Sequence, residues 1–324
     1  MGMSRSTQQF ALRRLDQAFQ GFVRRVKNGQ KAGFPRFKSA KRWNTLQAQY
    51  GYGTAVRENL QRLHWVGVGN IKVRLHRPIP EHAELKAVTL KRLHRQWYAC
   101  IEMTLPTPTP LPPTNHSVGV DLGITNFAAL STGELVAGPR AHRRAEARVA
   151  QLQRRIAWKQ EGSKRRRQAI ESLARARLKE ARVRRDHHFK VANSLVRRFD
   201  VICLEDLNIR TLADSTLAKD VRDQAWGQFV NILGDKAEEA GRLLVVVNPK
   251  NTTQMCSNCT QIVPKERGER VHSCSCGLVV DRDVNAARNI LRLGASRQRT
   301  LAAEFHPRRI GVAHLGNRPR GGLT

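Results

Sequence analysis

The sequence predicts an α/β protein in which a mixed β-sheet carries acidic side chains at the ends of its strands. Three short apolar segments support this prediction, at 117–130, 199–209 and 242–249. They are rich in β-branched residues, as are strands buried on both faces of such a sheet. Patterns with helical spacing separate the three segments, and strands that alternate with helices are typical of a sheet covered by helices.

The charge of the chain predicts a polyanionic partner, most simply DNA or RNA. The 324 residues, enough for two or three domains, carry a formal net charge of +32 with a pI near 11.3. A membrane surface is the weaker alternative. The sequence has no apolar run long enough to span a bilayer and no apolar N-terminal segment. We therefore expect a soluble, unexported, cytoplasmic protein.

The region before the sheet predicts a helix followed by short strands. Residues 1–30 show a basic amphipathic helical pattern, and 60–105 alternates in short stretches typical of a small barrel or sheet. The proline-rich segment 105–116 is predicted to be a linker. A plain structural sheet would explain the strands, but interleaved basic residues favour a surface that faces nucleic acid. These residues are Lys72, Arg74, Lys86, Lys91 and Arg92.

Acidic residues lie in the first two of these apolar segments. Asp121 interrupts the first strand between Gly119 and Gly123, which leave space at the backbone, and Glu205 ends the second together with Asp206. A carboxylate inside a core strand is costly unless it holds a metal ion or a paired cation.

A helix then begins near Asp281 and Asp283. Helix capping would explain either aspartate alone. Together with Asp121 and Glu205, however, the set predicts a site for two magnesium ions that hydrolyses phosphodiesters, since magnesium prefers oxygen ligands.

A strongly basic helical pair lies between the first two strands. Residues 141–198 contain no proline and one glycine, and predict two long helices in a hairpin that turns near Gly162. A solvated charged face is the usual explanation of a charge run. Here the excess of one sign favours contact with a phosphate backbone. The predicted contacts are Arg154, Arg155, Lys164, Arg165, Arg166, Arg167, Arg175 and Lys179.

Four cysteines predict a structural zinc site. Cys256 and Cys259 form C-x2-C, while Cys274 and Cys276 form C-x-C followed by a glycine. Two close thiolate pairs suit tetrahedral zinc in a reducing compartment. His272 is a possible substitute ligand, although the four cysteines are preferred. The other two cysteines, Cys100 and Cys203, lie in predicted strands and are expected to be core residues.

Three blocks of sequence together resemble the TnpB family of insertion-sequence-encoded proteins. They are GVDLGITNFAAL, VICLEDLNI and NTTQMCSNC…CSCGLVVDRDVNAARNIL. The resemblance covers about 30–293 and implies a ribonuclease H (RuvC-like) fold with a zinc-ribbon insertion. A partial β-barrel, or wedge, domain and a short helical segment would precede that fold.

The resemblance implies a domain order as well. The ranges are a partial helical recognition segment at 1–40, the wedge barrel at 41–105, the linker at 106–116, the nuclease domain at 117–250, the zinc ribbon at 251–280, a last helix at 281–294 and a disordered basic tail at 295–324. Family members have a further strand and several helices before the FPRFK block, so the wedge barrel is expected to lack its first strand.

The function that the resemblance implies is RNA-guided cleavage of DNA beside a short transposon-associated motif. The family's catalytic carboxylates fall on Asp121, Glu205 and Asp283, with Asp281 as a neighbour, and its zinc ligands fall on the four clustered cysteines. Guide RNA and target DNA are the implied partners, and magnesium is the catalytic metal. Two alternatives stay open: guided binding of DNA without cleavage, and a transposase that acts on transposon ends without a guide.

Overall fold

The chain forms two compact units, Met1–Thr107 and Pro108–Thr324. The structure is a computed structural model that describes residues 4–304 apart from 40–41, 58, 60, 94–95, 140, 207–223 and 267, and the side chains at 141–144 and 298–304 are likewise outside the description. Among the described residues, no helix combines the length and the hydropathy that crossing a membrane requires.

The first unit begins with helix α1 (Arg5–Lys27), which lies within the basic helical pattern of 1–30. Ser4 caps its N-terminus by accepting a hydrogen bond from the Thr7 amide. Basic residues in the last turn suit the partial negative charge at a helix C-terminus. Phe34 folds back onto the helix and meets the rings of Phe19 and Phe22 edge-on, at centroid distances of 5.5 and 5.4 Å.

Two three-stranded antiparallel sheets complete the first unit. In one, β5 lies between β1 and β6, and in the other β3 lies between β2 and β4. The strands are β1 (Thr45–Gln49), β2 (Thr54–Arg57), β3 (Arg62–Trp65), β4 (Gly69–Lys72), β5 (Glu84–Leu93) and β6 (Gln96–Thr104). The two sheets share one core that includes Trp65 and Val88. The strand pairs among the described residues therefore form two sheets around one core rather than a single closed barrel.

The five interleaved basic residues are exposed, with Lys72 at the end of β4 and Lys86, Lys91 and Arg92 on β5, and their contact with nucleic acid stays a prediction. One expectation about this unit needs correction. Cys100 is exposed rather than a core residue. The reason is that β6 is an edge strand with little burial, and Cys100 lies opposite the partly exposed Thr89.

The second unit is built on a five-stranded mixed sheet in the order β11-β10-β7-β8-β9. Its strands are β7 (Ser117–Leu122), β8 (Ala128–Leu130), β9 (Leu135–Val136), β10 (Val201–Glu205) and β11 (Leu243–Val247). Strands β7, β10 and β11 are parallel, whereas β8 and β9 continue from β7 as an antiparallel meander. The prediction of one strand over 117–130 was wrong, because the chain reverses at 123–127 and pairs Asp121 with Ala129.

Within the described part of the chain, four helices complete the second unit. They are α2 (Ala141–Ala157), α3 (Lys164–Arg198), α4 (Trp226–Ala240) and α5 (Arg282–Glu304). Gly241 ends α4 in the left-handed conformation (φ 66°), as a C-terminal glycine does. The helical pattern between the second and third apolar segments begins near Leu217, which lies outside the described residues. Helix α5 continues ten residues past Gly294, where the prediction ended it, because the chain holds no further helix-breaking residue before Pro307. The rest of the predicted tail, 305–324, lies outside the described residues.

Alternation along the strands separates two cores. Val118, Val120 and Leu204 point toward α3 and α4 and join the larger core, which also holds Phe229 and Leu233. The intervening positions point to the other face, which α5 covers. Cys203, Val245, Val247 and Ile290 form the smaller core there.

The proline-rich segment is anchored to this unit. Arg242 is 5% exposed, and its guanidinium lies 2.6 Å from Asp200 and donates a hydrogen bond to the Pro112 carbonyl at 2.8 Å. Asp200 also accepts hydrogen bonds from the Thr114 and Asn115 amides. The hydrogen bond from the Thr114 amide lowers the pKa of Asp200 most. The hydrogen bond from Asn115 and the nearby guanidinium lower it further. The end of the segment expected to be a linker is therefore held in place by hydrogen bonds just before β7 begins.

Close contact between α5 and β7 depends on Gly119. A Cβ at this position would lie 2.0 Å from the Ala287 carbonyl oxygen and 2.7 Å from the Leu291 amide nitrogen, both of which are backbone atoms of α5. Such distances are too short for any side chain, so the helix and strand meet only because glycine is present.

We expect Gly119→Ala to destabilise the protein by about 2 to 3 kcal/mol or more, because the helix backbone must move away from the strand. The free energy of unfolding in urea measures this effect. Gly268→Ala is the control, since a Cβ there meets nothing within 4 Å, and it should change stability by less than about 0.5 kcal/mol. Equal effects of the two variants would contradict the close contact.

Candidate functional site

The parallel pairing of β7 and β10 places two acidic residues side by side. Leu204 lies opposite Val120, so Glu205 and Asp121 are the next residues along each strand. Both occupy positions whose side chains point to the face covered by α5, because their neighbours Leu204 and Val120 point to the other face. Sequence predicted the two carboxylates, and strand register explains why they meet.

Helix α5 brings Asp283 to the same place. Asp283 lies in its first turn and is 9% exposed. Its Oδ2 atom lies 3.8 Å from the position of a Cβ on Gly123, the residue two after Asp121. The glycine after β7 thus leaves room for this carboxylate beside the strand end.

The charges around Asp121 agree with this convergence. Burial raises the pKa of Asp121 well above its usual value, and the charges of Glu205 and Asp283 raise it further, while Arg282 opposes them. The three carboxylates are therefore close enough to repel one another. A site with an excess of negative charge of this kind favours a bound cation.

Glu205 has a hydroxyl partner that the sequence did not reveal. The Thr252 hydroxyl donates a hydrogen bond to Glu205 Oε1. Its Oγ1 atom also lies 3.1 Å from the Pro249 carbonyl oxygen. Burial raises the pKa of Glu205, and the hydrogen bond from Thr252 acts in the opposite direction. Thr252 is 1% exposed, so its hydroxyl has a fixed position from which it orients the carboxylate.

Two buried asparagines of α5 hold the loop that carries Thr252. Asn289 donates hydrogen bonds to the carbonyls of Thr252 at 2.9 Å and Met255 at 2.6 Å. Asn285 donates to the Met255 carbonyl at 2.8 Å and accepts from the Ser257 amide at 2.9 Å. Their four-residue spacing on an otherwise apolar helix face is a signal that sequence analysis could have used.

The other predicted acidic neighbours have different surroundings. Asp281 accepts hydrogen bonds from the amides of Asp283 and Val284 at 2.8 and 3.2 Å, so it caps the N-terminus of α5. Asp206 is exposed and follows Glu205 on the opposite side of the chain. Arg282 lies 3.4 Å from Asp283 and offsets part of its charge.

The four clustered cysteines lie close enough together to hold one metal ion. Their sulfur atoms all lie within 4.8 Å of one another, with Cys256 and Cys276 3.7 Å apart and Cys259 and Cys274 3.5 Å apart. A zinc ion with four Zn–S bonds of about 2.3 Å requires sulfur separations of about 3.8 Å. The arrangement therefore fits zinc.

Two similar turns present these sulfurs. Thr260 and Gly277 follow the second cysteine of each pair, and both adopt positive φ, at 69° and 87°. The Asn258 amide lies 3.5 Å from Cys276 Sγ, and its hydrogen bond lowers the pKa of that thiol to about 6, which favours the thiolate. The strands β12 (Val271–Ser273) and β13 (Val279–Asp281) then lead into α5. His272, the possible substitute ligand, is buried and lies outside the sulfur cluster.

The three carboxylates lie farther apart than the sulfurs. Among the described residues, only the four cysteines bring three or more ligand atoms within 4.8 Å of one another. The three side chains nevertheless offer hard oxygen donors, which magnesium prefers. The donor set at Asp121, Glu205 and Asp283 therefore fits magnesium.

The predicted nucleic-acid contacts lie on the hairpin of α2 and α3. Seven of the eight are exposed, and the exception is Arg166, whose guanidinium lies 3.0 Å from Glu161. The exposed residues are Arg154, Arg155, Lys164, Arg165, Arg167, Arg175 and Lys179. The hairpin thus presents a basic surface to solvent.

We expect Cys276→Ser to release the metal ion and to lower thermal stability, because a structural zinc site stabilises the folded state. Metal content per chain and the melting temperature measure both effects. Cys100→Ser is the matched control, since Cys100 is an exposed thiol outside the cluster. Zinc content equal to that of the unsubstituted protein would remove Cys276 from the ligand set.

Comparisons with known proteins agree with this architecture. The family model described as a probable transposase matches residues 100–216, and the Cas12f1-like TNB domain model matches 226–290. A Streptomyces pristinaespiralis protein named "Putative RNA-guided DNA endonuclease" is 35% identical over 290 residues, which cover 88% of this chain and 70% of the relative. The TnpB-like protein L79 of Acanthamoeba polyphaga mimivirus is 37% identical over 119 residues, 34% of this chain and 22% of the relative.

A solved structure shows the same fold at lower identity. The cryo-EM structure of a Cas12f1-sgRNA-target DNA complex superposes with a TM-score of 0.53 and 14% identity, over 83% of this chain and 67% of that chain. The long match to the Streptomyces relative and the two family models lead to one conclusion. The chain belongs to the TnpB family.

Proposed function

We propose that the protein is an RNA-guided, magnesium-dependent DNA endonuclease encoded by a transposable element. It would cut DNA beside a short transposon-associated motif, with a nuclease domain of the ribonuclease H (RuvC-like) type. The observation that carries the proposal is the convergence of Asp121, Glu205 and Asp283 on one face of the mixed sheet. The sheet's antiparallel meander followed by two parallel strands supports the fold assignment.

The carboxylates would act as ligands rather than as bases. Asp121, Glu205 and Asp283 would hold two magnesium ions, which supply an activated water and neutralise charge on the phosphate. Thr252 donates to Glu205 and keeps one carboxylate oxygen in a fixed direction. The guanidinium of Arg270 lies 3.8 Å from Asp283. Its side chain is half exposed, so it could also bind a substrate phosphate.

Guide RNA and target DNA are the proposed partners. The Streptomyces relative is named as an RNA-guided DNA endonuclease, which supports an RNA guide, and the net charge of +32 supports binding of a polyanion. Base pairing with the guide would supply sequence specificity, while basic surfaces of the protein hold phosphates. The hairpin α2–α3 is the strongest candidate for such a surface, because the sequence between 143 and 190 contains seventeen Lys and Arg but only five acidic residues.

We expect Asp121→Ala to reduce DNA cleavage by about three orders of magnitude, since losing a metal ligand removes several kcal/mol of transition-state stabilisation. Single-turnover cleavage of target DNA, with the RNA that copurifies, measures the rate. Binding of RNA and DNA should be unchanged. Asp206→Asn is the control, because it removes the charge of an exposed carboxylate that follows the end of β10. Cleavage that survives in Asp121→Ala would refute the active-site assignment.

We expect Thr252→Val to lower the cleavage rate by about ten- to a hundredfold, as loss of a hydrogen bond to a metal ligand does. The magnesium concentration for half-maximal rate should rise, because Glu205 loses its orienting partner. Thr252→Ser keeps the hydroxyl and should restore most of the rate. Thr253→Val, a partly buried neighbour, serves as the control. If Thr252→Ser and Thr252→Val behave alike, the hydroxyl has no role in orienting Glu205.

A further inference from the structure

The tip of the α2–α3 hairpin carries an exposed tryptophan among cations. Trp158 follows the last turn of α2 and is 90% exposed. The other exposed tryptophans, Trp43 and Trp97, have exposed fractions of 39% and 53%. A large aromatic surface left in water is unfavourable unless a partner covers it.

The turn that presents Trp158 has a defined conformation. The Trp158 amide donates to the Arg154 carbonyl at 3.2 Å, and the Lys159 amide donates to the Ile156 carbonyl at 3.2 Å. Gly162 adopts a positive φ of 76°, and Ser163 accepts from the Arg166 amide to cap α3. The exposed ring is therefore attached to an ordered hairpin end.

A basic crevice lies between the two helices next to this tip. It has a volume of about 450 Å³, and its walls include Arg155, Lys159 and Arg165. None of these three cations forms an ion pair with any described residue, and the nearby Glu161 pairs with Arg166 instead. Like charges around one crevice repel one another, and an anion that enters would remove the repulsion.

The two features together fit a nucleotide. Between 153 and 167 the sequence has seven Lys or Arg and one acidic residue, so the anion is favoured by the whole tip. A phosphate group in the crevice would leave its base free to stack on Trp158. Bases along a strand stack on an aromatic side chain when they are unpaired and turned outward, as in single strands, loops and bulges.

We propose that the hairpin tip binds an unpaired nucleotide of a nucleic-acid strand, with its phosphate between Arg155, Lys159 and Arg165 and its base on Trp158. The inference rests on the proposed function, since it identifies the form of nucleic acid that one basic surface would hold. RNA and DNA strands share this chemistry, and the experiment distinguishes them.

The test measures binding of short labelled oligonucleotides to the full chain by fluorescence anisotropy. Single-stranded RNA, single-stranded DNA and a blunt duplex are compared. Trp158→Ala should weaken single-strand binding by about tenfold, whereas Trp158→Phe should keep most of the affinity because a ring remains. Both substitutions change an exposed side chain, and an unchanged melting temperature would show that the fold is intact. Whichever single strand loses more affinity in Trp158→Ala identifies the natural strand.

The crevice has its own test in the salt dependence of binding. Arg155→Gln and Arg165→Gln should each reduce the slope of log affinity against log salt for single strands by about 0.7, the value expected when the protein neutralises one phosphate fewer. Arg197→Gln is the matched control, because it removes the same charge from the exposed far end of α3 and should leave the slope unchanged.

Three results would overturn the inference. They are equal single-strand affinity in Trp158→Ala and the unsubstituted protein, an equal loss of duplex affinity in Trp158→Ala, and equal slopes for Arg165→Gln and Arg197→Gln. The proposed nuclease function fails separately, through cleavage that persists in Asp121→Ala. Because these assays measure binding, Asp121→Ala should behave in them as the unsubstituted protein does.

Discussion

The contact between α5 and the sheet is the constraint on which the candidate site depends. Gly119 allows the helix backbone to touch β7, and Gly294 does the same at β10, where a Cβ would lie 2.2 Å from Cys203 Sγ. Both contacts involve a glycine, one on the strand and one on the helix. They fix the height of α5 above the strands, and this height places Asp283 beside Asp121 and Glu205. Mutual repulsion among the three carboxylates and the cost of burying their charges both oppose this packing. The apolar contacts between α5 and the sheet have to outweigh these two costs.

The same helix connects the carboxylates to the cysteine cluster. Asp283, Asn285 and Asn289 lie within two turns of α5, and the asparagines hold the loop that runs from Thr252 to Ser257. Cys256 lies inside that loop, while Thr252 touches Glu205. A metal ion bound by the four sulfurs would therefore stabilise the segment that orients Glu205. This arrangement explains why a cysteine cluster directly precedes acidic residues in so basic a chain.

Sequence patterns predicted the parts of the site that have unusual composition. Asp121 was recognisable because a charge interrupts an apolar strand, and the four cysteines because of their paired spacing. Thr252 was not recognisable, since a threonine in a polar loop has many possible roles and its partner lies 47 residues away. The reversal after Leu122 was also missed, although Gly123 and Asn126, two residues that favour turns, lie inside it.

The most direct measurement of the central claim is anomalous scattering from crystals of the protein soaked in manganese, which can replace magnesium at oxygen ligands. The account predicts anomalous peaks in contact with all three of Asp121, Glu205 and Asp283, separate from a zinc peak at the four cysteines. Zinc at the cysteines, with no manganese among the carboxylates at saturating concentration, would contradict it.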